Sequence, residues 1–458
     1  MSTGAGSGTT AVVLFTRDLR VHDHSGLAEA ARSSRNVVPV FVLDDELLDR
    51  AGPNRLGFLV DALADLRESL RRRGADLAIR RGDPVAETLR LCRDVGAGTV
   101  FAGGDVSPYA RRRQLRLATA CESAGVELRV EDDTTVVPPA AIAPDGGDHY
   151  RVFTPFWRRW RDAPRREPLS APARLCLPPD VTVSDLPTAR ELTGRAASPD
   201  VARGGETEGR GRLTRWLVDG LSAYSERRDR LDVEGTSRLS AYLHFGCLSP
   251  REVVSRAQER PGSDEFVRQL CWRDFFHQLL AGNPETTDRD LHPRDDDRRM
   301  DDDAVERWRR GLTGYPIVDA GMRQLAREGW LPNRARLIVG SFLTRTLGLD
   351  WRSGAAVFFE LLVDGDVASN AGNWQWIAGR GANTRPNRVL TPLAQARRFD
   401  PEGDYVRTWV PEVRALSGAS VHEPWKATDS LLAPEYPAPI VEPAARPRST
   451  RRDHAGRA

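Results

Sequence analysis

The segment LVDGDVASNAGNWQW, at residues 362–376, concentrates side chains that could bind a ligand. Two aspartates separated by a glycine at 364–366 precede Asn370 in a stretch that also holds two tryptophans. Such residues make a poor core, because a buried charge requires a partner. Arg336, in LPNRARLIVGSF, could supply one. The pattern is typical of a ligand site, and equally of a structural ion pair with aromatic packing.

Hydroxyl side chains collect in a second segment, GTSRLSAYLHFGCLSP at residues 235–250. Thr236, Ser237 and Ser240 precede an apolar run with a helical period, so hydroxyls and free backbone N–H groups meet at a helix start. Such a site is suited to a pyrophosphate. An ordinary helix cap has the same composition, and these residues alone do not decide between the two.

A third segment, EFVRQLCWRDFFHQLL at residues 265–280, places Gln269, Trp272, Arg273 and Phe276 on one helical face. An amide, an indole and a guanidinium on one face can stack on a base and bind its edge and backbone. A helix packed into its own domain would show the same pattern.

The charged composition favours binding of anions. The 458 residues include 67 basic and 65 acidic side chains, and Lys426 is the only lysine. Arginine does not titrate near neutral pH, so these charges serve fixed binding of phosphates or carboxylates rather than proton transfer or Schiff-base chemistry. Residues 380–398 include five arginines and no acidic residue, which favours a track for phosphates.

The five cysteines are widely spaced and form no C-x-x-C pair, so the sequence predicts neither a disulfide framework nor a zinc site. This usage is typical of a reducing compartment. The first residues carry no signal-peptide pattern, and no window approaches 18 apolar residues. We therefore expect a cytoplasmic protein that binds no membrane and no metal.

The elements that must position these segments change type along the chain. Between 11 and 137, apolar runs such as AVVLFT and VVPVFVL alternate with amphipathic stretches, which predicts a doubly wound α/β domain with a parallel sheet. Residues 138–209 are rich in Pro, Ala and Asp and predict a long connector. Helical periods from 210 to 441 predict an all-helical domain, and 442–458 predicts a disordered tail.

Ordered matches along nearly the whole chain resemble the photolyase and cryptochrome family of flavoproteins, most of all its bacterial class I enzymes. The matching strings are VVLFTRDLRVHDHSGL, TSRLS, WRDF, TGYPIVDAGMRQL, GWLPNRAR, LVDGDVASNAGNWQW and HEPW. The resemblance implies light-driven repair of cyclobutane pyrimidine dimers in DNA by an electron that passes from excited, reduced FAD to a flipped-out dimer and then returns. The alternatives are a cryptochrome-type blue-light receptor, a (6-4) photolyase, or a DNA-binding flavoprotein without photochemistry.

By this resemblance, the helical domain holds one non-covalent FAD, folded so that its two ring systems lie close together. Asn370 matches the position that faces flavin N5, where a neutral amide favours the reduced flavin and repair. Arg336 is expected to pair with Asp364. The residues that match the family's cofactor contacts are Tyr224, Thr236, Ser237, Arg238, Leu239, Ser240, Arg336, Asp364, Gly365, Asp366 and Asn370.

The resemblance also implies a lesion cavity over the flavin, lined by two indoles, with Gln269 at the pyrimidine edge. Gln269 is typical of (6-4) photolyases, but the histidines of that class are missing at Asn333 and Leu337, so the cyclobutane dimer stays the prediction. Leu337 replaces the usual Met, a nearly volume-conserving change that weakens binding slightly. The residues that match DNA contacts are Arg228, Gln269, Trp272, Arg273, Asn333, Arg334, Leu337, Trp376 and Gln395.

A relay of three tryptophans reduces the flavin in light in many members of the family. Trp374 and Trp351 match its inner two positions, whereas the outer position is Arg298. The resemblance therefore predicts slow light-driven reduction of oxidised FAD and normal repair by flavin that is already reduced.

The N-terminal domain is expected to hold a second, light-harvesting chromophore. The string DVSPYARRR at 105–113 resembles the pattern of deazaflavin-type antennae, with Asp105, Arg55 and the loop 41–44 as candidate contacts. The resemblance favours 8-hydroxydeazaflavin over folate or FMN. It also predicts a monomer whose partner is UV-damaged DNA.

Overall fold

A five-stranded parallel sheet forms the N-terminal part of the computed structural model, which describes residues 10–294, 299–382, 389–426 and 435–443. The strands are Thr10–Phe15 (β1), Asn36–Leu43 (β2), Ala78–Arg81 (β3), Ala97–Gly103 (β4) and Glu127–Glu131 (β5). Their order in the sheet is β3-β2-β1-β4-β5, and every neighbouring pair is parallel. The order reverses between β1 and β4, and crevices at such a reversal commonly bind ligands in doubly wound sheets.

The central strands are apolar along their whole length because helices cover both faces of the sheet. The sequences TAVVLF in β1 and NVVPVFVL in β2 are almost entirely buried, as expected for strands of a parallel sheet. Two helices begin at a capping Asp83 or Ser107 followed by proline. The helices of this part are Ser25–Ser33 (α1), Asp45–Leu48 (α2), Pro53–Arg71 (α3), Pro84–Val95 (α4) and Pro108–Ser123 (α5).

From residue 153 onward, all the regular elements of the described residues are helical. The α-helices are Phe153–Asp162 (α6), Ala189–Thr193 (α7), Glu206–Arg215 (α8), Tyr224–Arg227 (α9), Ser240–His244 (α10), Pro250–Gln258 (α11), Asp264–Gly282 (α12), Asp302–Arg309 (α13), Pro316–Glu328 (α14), Asn333–Ser341 (α15), Trp351–Leu361 (α16), Val367–Ala378 (α17), Pro392–Phe399 (α18) and Asp404–Trp409 (α19). The predicted fold class, a parallel α/β sheet followed by helices, is confirmed.

The predicted connector, 138–209, contains a helix that packs into the helical part of the chain. In α6, Phe153 stacks on Trp272 of α12 with ring centroids 3.7 Å apart, and Nε1 of Trp160 donates to Asp274 at 2.8 Å. The division at residues 137, 209 and 441 stays a prediction. The predicted tail lies almost entirely outside the described residues.

One apolar core crosses from the sheet into the helices. Phe58 of α3 packs against Tyr242 and Phe245, with ring centroids 5.2 and 4.8 Å apart. Next to this contact, the backbone N–H of Leu19 donates to Phe245 at 3.2 Å. Gly246 has a φ of +66° and touches the backbone of Arg17 so closely that a Cβ would not fit. The loop after β1 is therefore fixed against the helical part.

Two properties of the described residues concern membranes and metals. No helix among them is long and apolar enough to cross a bilayer. No group of three or more His, Cys, Asp or Glu side chains in these ranges is arranged to hold a metal ion.

Candidate functional site

A cavity of about 990 Å³, including its open mouth, lies among α9, α10, α12, α15, α16 and α17. All the residues predicted as cofactor contacts line it, although they come from four separate segments of the sequence. Gln269, Asn333, Leu337 and Trp374 line it as well. The structure thus brings together side chains that are up to about 150 positions apart in the chain. Their roles in binding remain predictions.

Several lining residues were missed by sequence reasoning. Two of them, Ser369 and Asn373, follow Asp366 by three and seven positions on α17 and share its helical face, a spacing that could have identified them. The others are apolar or aromatic and carry no comparable signal. They are Trp330, Leu331, Phe358, Leu362 and Ile377.

Asp364 has one oxygen that is paired and one that is not. Its Oδ2 accepts from Nη2 of Arg336 at 2.7 Å, which is the predicted ion pair. Arg336 is held in place by a second hydrogen bond, from its Nε to the carbonyl oxygen of Leu331 at 2.9 Å. Oδ1 of Asp364 is buried and has no hydrogen-bond partner among the described residues. An unpaired acceptor of this kind is costly unless a ligand or water donates to it.

Asp366 begins α17 and also reaches the N-terminal part. Its Oδ1 accepts from the backbone N–H of Ser369 at 2.7 Å, which caps the helix. Its Oδ2 accepts from Nη2 of Arg17 at 2.6 Å, and the His277 ring lies 3.5 Å from Oδ1. Burial alone would raise the pKa of Asp366, but His277 and Arg17 outweigh it and hold this pKa well below its usual range. The carboxyl group is therefore ionised at neutral pH.

The hydroxyls of the 236–240 segment do not act as a helix cap. The helix that follows, α10, has only five residues, and it begins after Leu239 without a side-chain cap. Thr236 and Ser237 instead line the cavity, and Oγ of Ser240 accepts from Nε1 of Trp330 at 3.2 Å. The hydroxyls therefore do not form an ordinary helix cap, and their role in binding a pyrophosphate stays a prediction.

Asn370 lies one helical turn after Asp366 and lines the cavity. Its Nδ2 donates to the carbonyl oxygen of Ala355 at 3.1 Å, which anchors the amide on α16. This hydrogen bond uses the donor side of the amide and leaves Oδ1 as an acceptor.

Trp374 and Trp351 are both buried, on α17 and α16. Trp374 lines the cavity, and its closest aromatic neighbours are Phe358 and Trp308, with ring centroids 5.0 and 6.1 Å away. Trp351 donates from Nε1 to Asp290 at 2.9 Å. The predicted outer position, Arg298, lies outside the described residues.

The face predicted on α12 is split by the structure, because this helix is buried nearly all round. Gln269 lines the cavity, and Trp272 is partly exposed beside it in the helix, stacked on Phe153. Arg273 points to the N-terminal part, where it donates to the carbonyl oxygen of Thr134 at 2.5 Å. Burial lowers the pKa of Arg273. Arg273 therefore lies mostly inside the molecule, and its role as a DNA contact stays a prediction.

The remaining predicted DNA contacts lie nearer the surface and already have partners. Arg228 forms an ion pair with Glu265 at 2.6 Å. Arg334 pairs with Asp229 at 2.9 Å and donates to Gln395 at 3.4 Å. Trp376 is partly buried on α17 and is not among the described residues that line the cavity. A phosphate would have to compete with these carboxylates for the guanidinium groups.

The arginine-rich stretch 380–398 does not form one continuous surface. Arg380 is only 7% exposed and lies 3.6 Å from Asp290, so the prediction of a phosphate track is wrong at this residue. Arg397 is exposed and pairs with Glu423 at 2.7 Å, and Arg398 is exposed as well. The other two arginines, at 385 and 388, lie outside the described residues.

The predicted antenna contacts lie where the N-terminal part meets the helices. Asp105, just after β4, accepts from Nη1 of Arg17 at 3.0 Å. Arg55 is only 6% exposed, and its guanidinium lies 4.1 Å from the ring centroid of Phe359 on α16 and donates to that residue's carbonyl oxygen. The predicted loop 41–44 is wrong in that residues 41–43 belong to β2. Asp44, directly after this strand, accepts a hydrogen bond from the Tyr109 hydroxyl. Arg55 therefore joins α3 to α16. The chromophore contacts of Arg55, Asp105 and Asp44 stay predictions.

Comparisons with known proteins match both parts of the chain. Residues 11–173 match the family model for DNA photolyase, and residues 266–454 match that for the FAD binding domain of DNA photolyase. A deoxyribodipyrimidine photo-lyase from Streptomyces griseus is 49% identical over 442 residues, which cover 95% of this chain and 96% of the relative. A cryptochrome DASH from Natronomonas pharaonis is 37% identical, with 96% and 99% covered.

Solved structures agree with these matches. A bacterial class III photolyase from Agrobacterium tumefaciens superposes with a TM-score of 0.89 at 32% identity, covering 96% of each chain. An archaeal photolyase from Sulfolobus tokodaii, whose structure contains two FAD molecules, has a TM-score of 0.83 at 31% identity, with 95% of this chain and 96% of that one covered.

Proposed function

The chain belongs to the photolyase and cryptochrome family and carries its FAD-binding domain, and from this premise we propose that it repairs cyclobutane pyrimidine dimers in DNA with light. The observation that carries the proposal is the cavity itself. The cavity presents polar atoms without protein partners, which a nucleotide could bind. Gln269 and Asn333, the residues predicted to contact the lesion, line the same cavity as the predicted cofactor contacts. One cavity therefore serves both cofactor and lesion in this proposal.

The cavity fits a flavin nucleotide because of the donors and acceptors that it leaves unused. The buried Oδ1 of Asp364 requires a donor, and both the ring N–H and the ribose hydroxyls of FAD are donors. Arg336 balances the charge of this carboxylate. The Thr236 and Ser237 hydroxyls, with neighbouring backbone N–H groups, are suited to the pyrophosphate.

Bound FAD would supply an electron that is transferred to the dimer after light excitation and returns once the cyclobutane ring has opened, so no net oxidation occurs. The chain's own residues set the conditions for it. Asn370 presents a neutral acceptor oxygen, which matches an N–H at N5 of the reduced flavin and adds no charge. Trp374, buried against the cavity, is placed to reduce an oxidised flavin.

The lesion is proposed from the residues beside the cofactor. Gln269 can both donate to and accept from a pyrimidine edge. Asn333 and Leu337 line the same cavity and lack the imidazole groups expected in a (6-4) enzyme. These residues support the cyclobutane dimer as the substrate.

The decisive experiment incubates the reduced, FAD-loaded protein with an oligonucleotide that carries one thymine dimer, under blue light. Restored thymines, counted by chromatography, are expected in light and not in a dark control. A parallel oligonucleotide with a (6-4) lesion should stay unrepaired. Repair of that lesion alone would move the assignment to a (6-4) photolyase. Repair of neither would favour a photoreceptor, which the likeness to a cryptochrome DASH keeps as the second candidate.

We further propose an antenna chromophore at the carboxyl ends of β1, β2 and β4. The Tyr109 hydroxyl donates to Asp44 there, Asp105 follows β4, and Arg113 lies 5.8 Å from the Tyr109 ring centroid. The position matches the ligand crevice of a doubly wound sheet, and the 105–113 string supports 8-hydroxydeazaflavin. Extraction of the purified protein, followed by absorption and mass spectra, would identify it. A folate, FMN or FAD mass would overturn the deazaflavin assignment.

Localisation and assembly complete the proposal. The odd, dispersed cysteines support a cytoplasmic protein, and we propose that it acts as a monomer. Light scattering of the purified chain would test this, and a mass of twice 50.8 kDa would contradict it.

A further inference from the structure

We propose that the sheet domain completes the flavin site, with Arg17 and Arg55 as positioning residues that hold the 364–366 loop from two sides. The inference rests on the proposed use of the cavity by FAD. It assigns a cofactor-binding task to residues of the N-terminal part, which the sequence linked only to the antenna.

Arg17 spans the two parts of the chain with all of its guanidinium nitrogens. Nη2 donates to Oδ2 of Asp366 at 2.6 Å, across 349 positions of sequence. Nη1 donates to Asp105 at 3.0 Å, and Nε donates to the carbonyl oxygen of His244 at 3.1 Å. The Arg17 side chain is 21% exposed and that of Asp366 only 7%. The pair is therefore largely desolvated, where charge-assisted hydrogen bonds are strongest.

His244 adds an acceptor to this arrangement. Burial, followed by the charge of Arg17, lowers the pKa of His244 well below its usual value, so the ring is neutral. Its Nδ1, 3.3 Å from Nη2 of Arg17, can then accept a hydrogen bond. Asp366, Asp105 and His244 thus fix the guanidinium in one orientation, and Arg17 in turn fixes the carboxylate.

Arg55 supports the same loop from α3. A Cβ atom added at Gly365 would lie 2.6 Å from Nη1 of Arg55, so the guanidinium packs directly against the loop. The group also donates to the carbonyl oxygen of Phe359, six residues before Gly365. Burial lowers the pKa of Arg55 to about 10, although the negative charge of Asp364 acts in the opposite direction. The guanidinium therefore remains cationic at pH 7.

The position of this loop matters because three parts of the cavity depend on it. Asp364 offers the unpaired oxygen, Asp366 caps α17, and α17 carries Asn370 and Trp374. A shift of the Asp366 carboxylate would therefore move the start of the helix that presents the acceptor for the flavin. Arg17 touches none of the cavity surface and acts through Asp366.

The test measures FAD retention by the full-length, FAD-loaded protein in the dark and without DNA. Fluorescence of FAD released on serial dilution gives an apparent dissociation constant, and visible circular dichroism reports the environment of the bound flavin. We expect Arg17→Gln and Arg55→Gln each to raise the dissociation constant by about tenfold. Arg17→Gln should also change the visible dichroism. Arg17→Lys keeps one cation for Asp366 and should lie between Arg17→Gln and the parent.

Arg166→Gln is the matched control. Arg166 joins the connector to the sheet through ion pairs with Asp23 and Asp133, and it is 32% exposed. Its loss should lower the melting temperature while leaving the dissociation constant for FAD within about twofold of the parent.

Parental affinity and dichroism in Arg17→Gln, or an equal loss of FAD from Arg166→Gln, would overturn the proposal. Should Arg17→Gln not fold, Arg17→Lys and Arg55→Gln carry the same comparison. A protein that retains FAD but repairs no dimer would refute the proposed function alone.

Discussion

At the scale of single residues, Trp272 combines an observed packing contact with a predicted role in binding the lesion. It stacks on Phe153 inside the molecule and remains partly exposed. We expect Trp272→Ala to weaken binding of dimer-bearing DNA by about 1–3 kcal/mol, because an indole that stacks on a base is lost. A fluorescence-anisotropy titration measures this.

The control for that change is Trp157→Ala. Trp157 also stacks, on Trp160 at 5.5 Å between ring centroids, and is likewise partly buried. It should lose similar folding stability and keep its affinity for the lesion. Parental affinity in Trp272→Ala would remove this residue from the lesion site.

Trp374 allows the relay to be tested apart from repair. Trp374→Phe should abolish light-driven reduction of oxidised FAD, because the buried indole beside the cavity is the nearest donor of the predicted relay. Repair by chemically reduced protein should persist. Absorption of the oxidised flavin under illumination follows the first reaction, and the thymine assay follows the second.

Arg298 supplies the complementary variant of this prediction. Arg298→Trp restores the outer position of the relay and should accelerate photoreduction. A parent that already forms a long-lived outer tryptophan radical at normal yield would show that the arginine does not limit the reaction.

At the scale of elements, the loop after β1 packs against Gly246, the second residue after α10. Gly246→Ala should destabilise the protein by about 2–4 kcal/mol, because it combines a positive φ with a steric clash against the Arg17 backbone. Denaturant unfolding measures the loss.

Gly348→Ala separates the two contributions. Gly348 has a φ of +69° and nothing within 4 Å of an added Cβ, so only backbone strain of about 1 kcal/mol is expected. Equal losses in the two variants would show that the close approach at Gly246 is not a source of stability.

Asp133 connects β5, α1, the connector and α11 through charge. It accepts from the backbone of Ser25 at 2.6 Å and lies 2.9 and 3.3 Å from Arg166 and Arg251. Burial would raise the pKa of Asp133, but Arg20 and the other nearby donors outweigh it and hold this pKa well below its usual range.

The sign of this shift fixes a pH dependence. Because the pKa of Asp133 is lower in the folded state than in the unfolded chain, the ionised carboxylate stabilises the fold. This stabilisation is complete above the pKa of the unfolded chain, about 3.9, and is lost as the pH falls through the pKa of the folded state. Asp133→Asn should therefore cost about 3 kcal/mol at pH 7 and less at pH 3. Thermal melts from pH 7 to 3 measure it, with the exposed Asp94→Asn as control. A cost that stays constant down to pH 3 would contradict the charge argument.

The elements themselves were largely predictable, whereas the partners of single side chains were not. Runs such as AVVLFT and VVPVFVL predict strands because only buried parallel strands are so uniformly apolar. Asp364 and Arg336 were paired correctly through the family resemblance. The contacts of Arg273 and Arg55 were not predicted, because a helical period gives a face and not the neighbour of that face. Arg17 gave no signal, since its partner Asp366 lies in another part of the chain.

At the scale of the whole molecule, we expect the proposed binding to DNA to use arginines of which three already have acidic partners. Arg228, Arg334, Arg397 and Arg398 are the described candidates for phosphate contacts. Four contacts predict that log K falls linearly with log salt with a slope of about −4 on duplex DNA. Binding titrations of damaged DNA at salt concentrations from about 50 to about 200 mM measure this slope.

Undamaged duplex DNA provides the control for the salt series. Its affinity should be lower, but its slope should be the same, because phosphate contacts do not read the lesion. A much shallower slope on damaged DNA would mean that the flipped lesion, and not the backbone, dominates the attachment.

The core that Phe58 shares with Tyr242 and Phe245 constrains how this molecule can be re-engineered. Exchanging the N-terminal half for that of a relative would be an attractive way to change the colour of light that is harvested. Such a chimera would inherit a foreign surface against α10 and would lack Arg17 unless its donor also carries it. A successful graft must therefore carry Arg17 and the surface that packs against α10 along with the proposed chromophore pocket. A graft without them is expected to bind a new pigment and to release FAD.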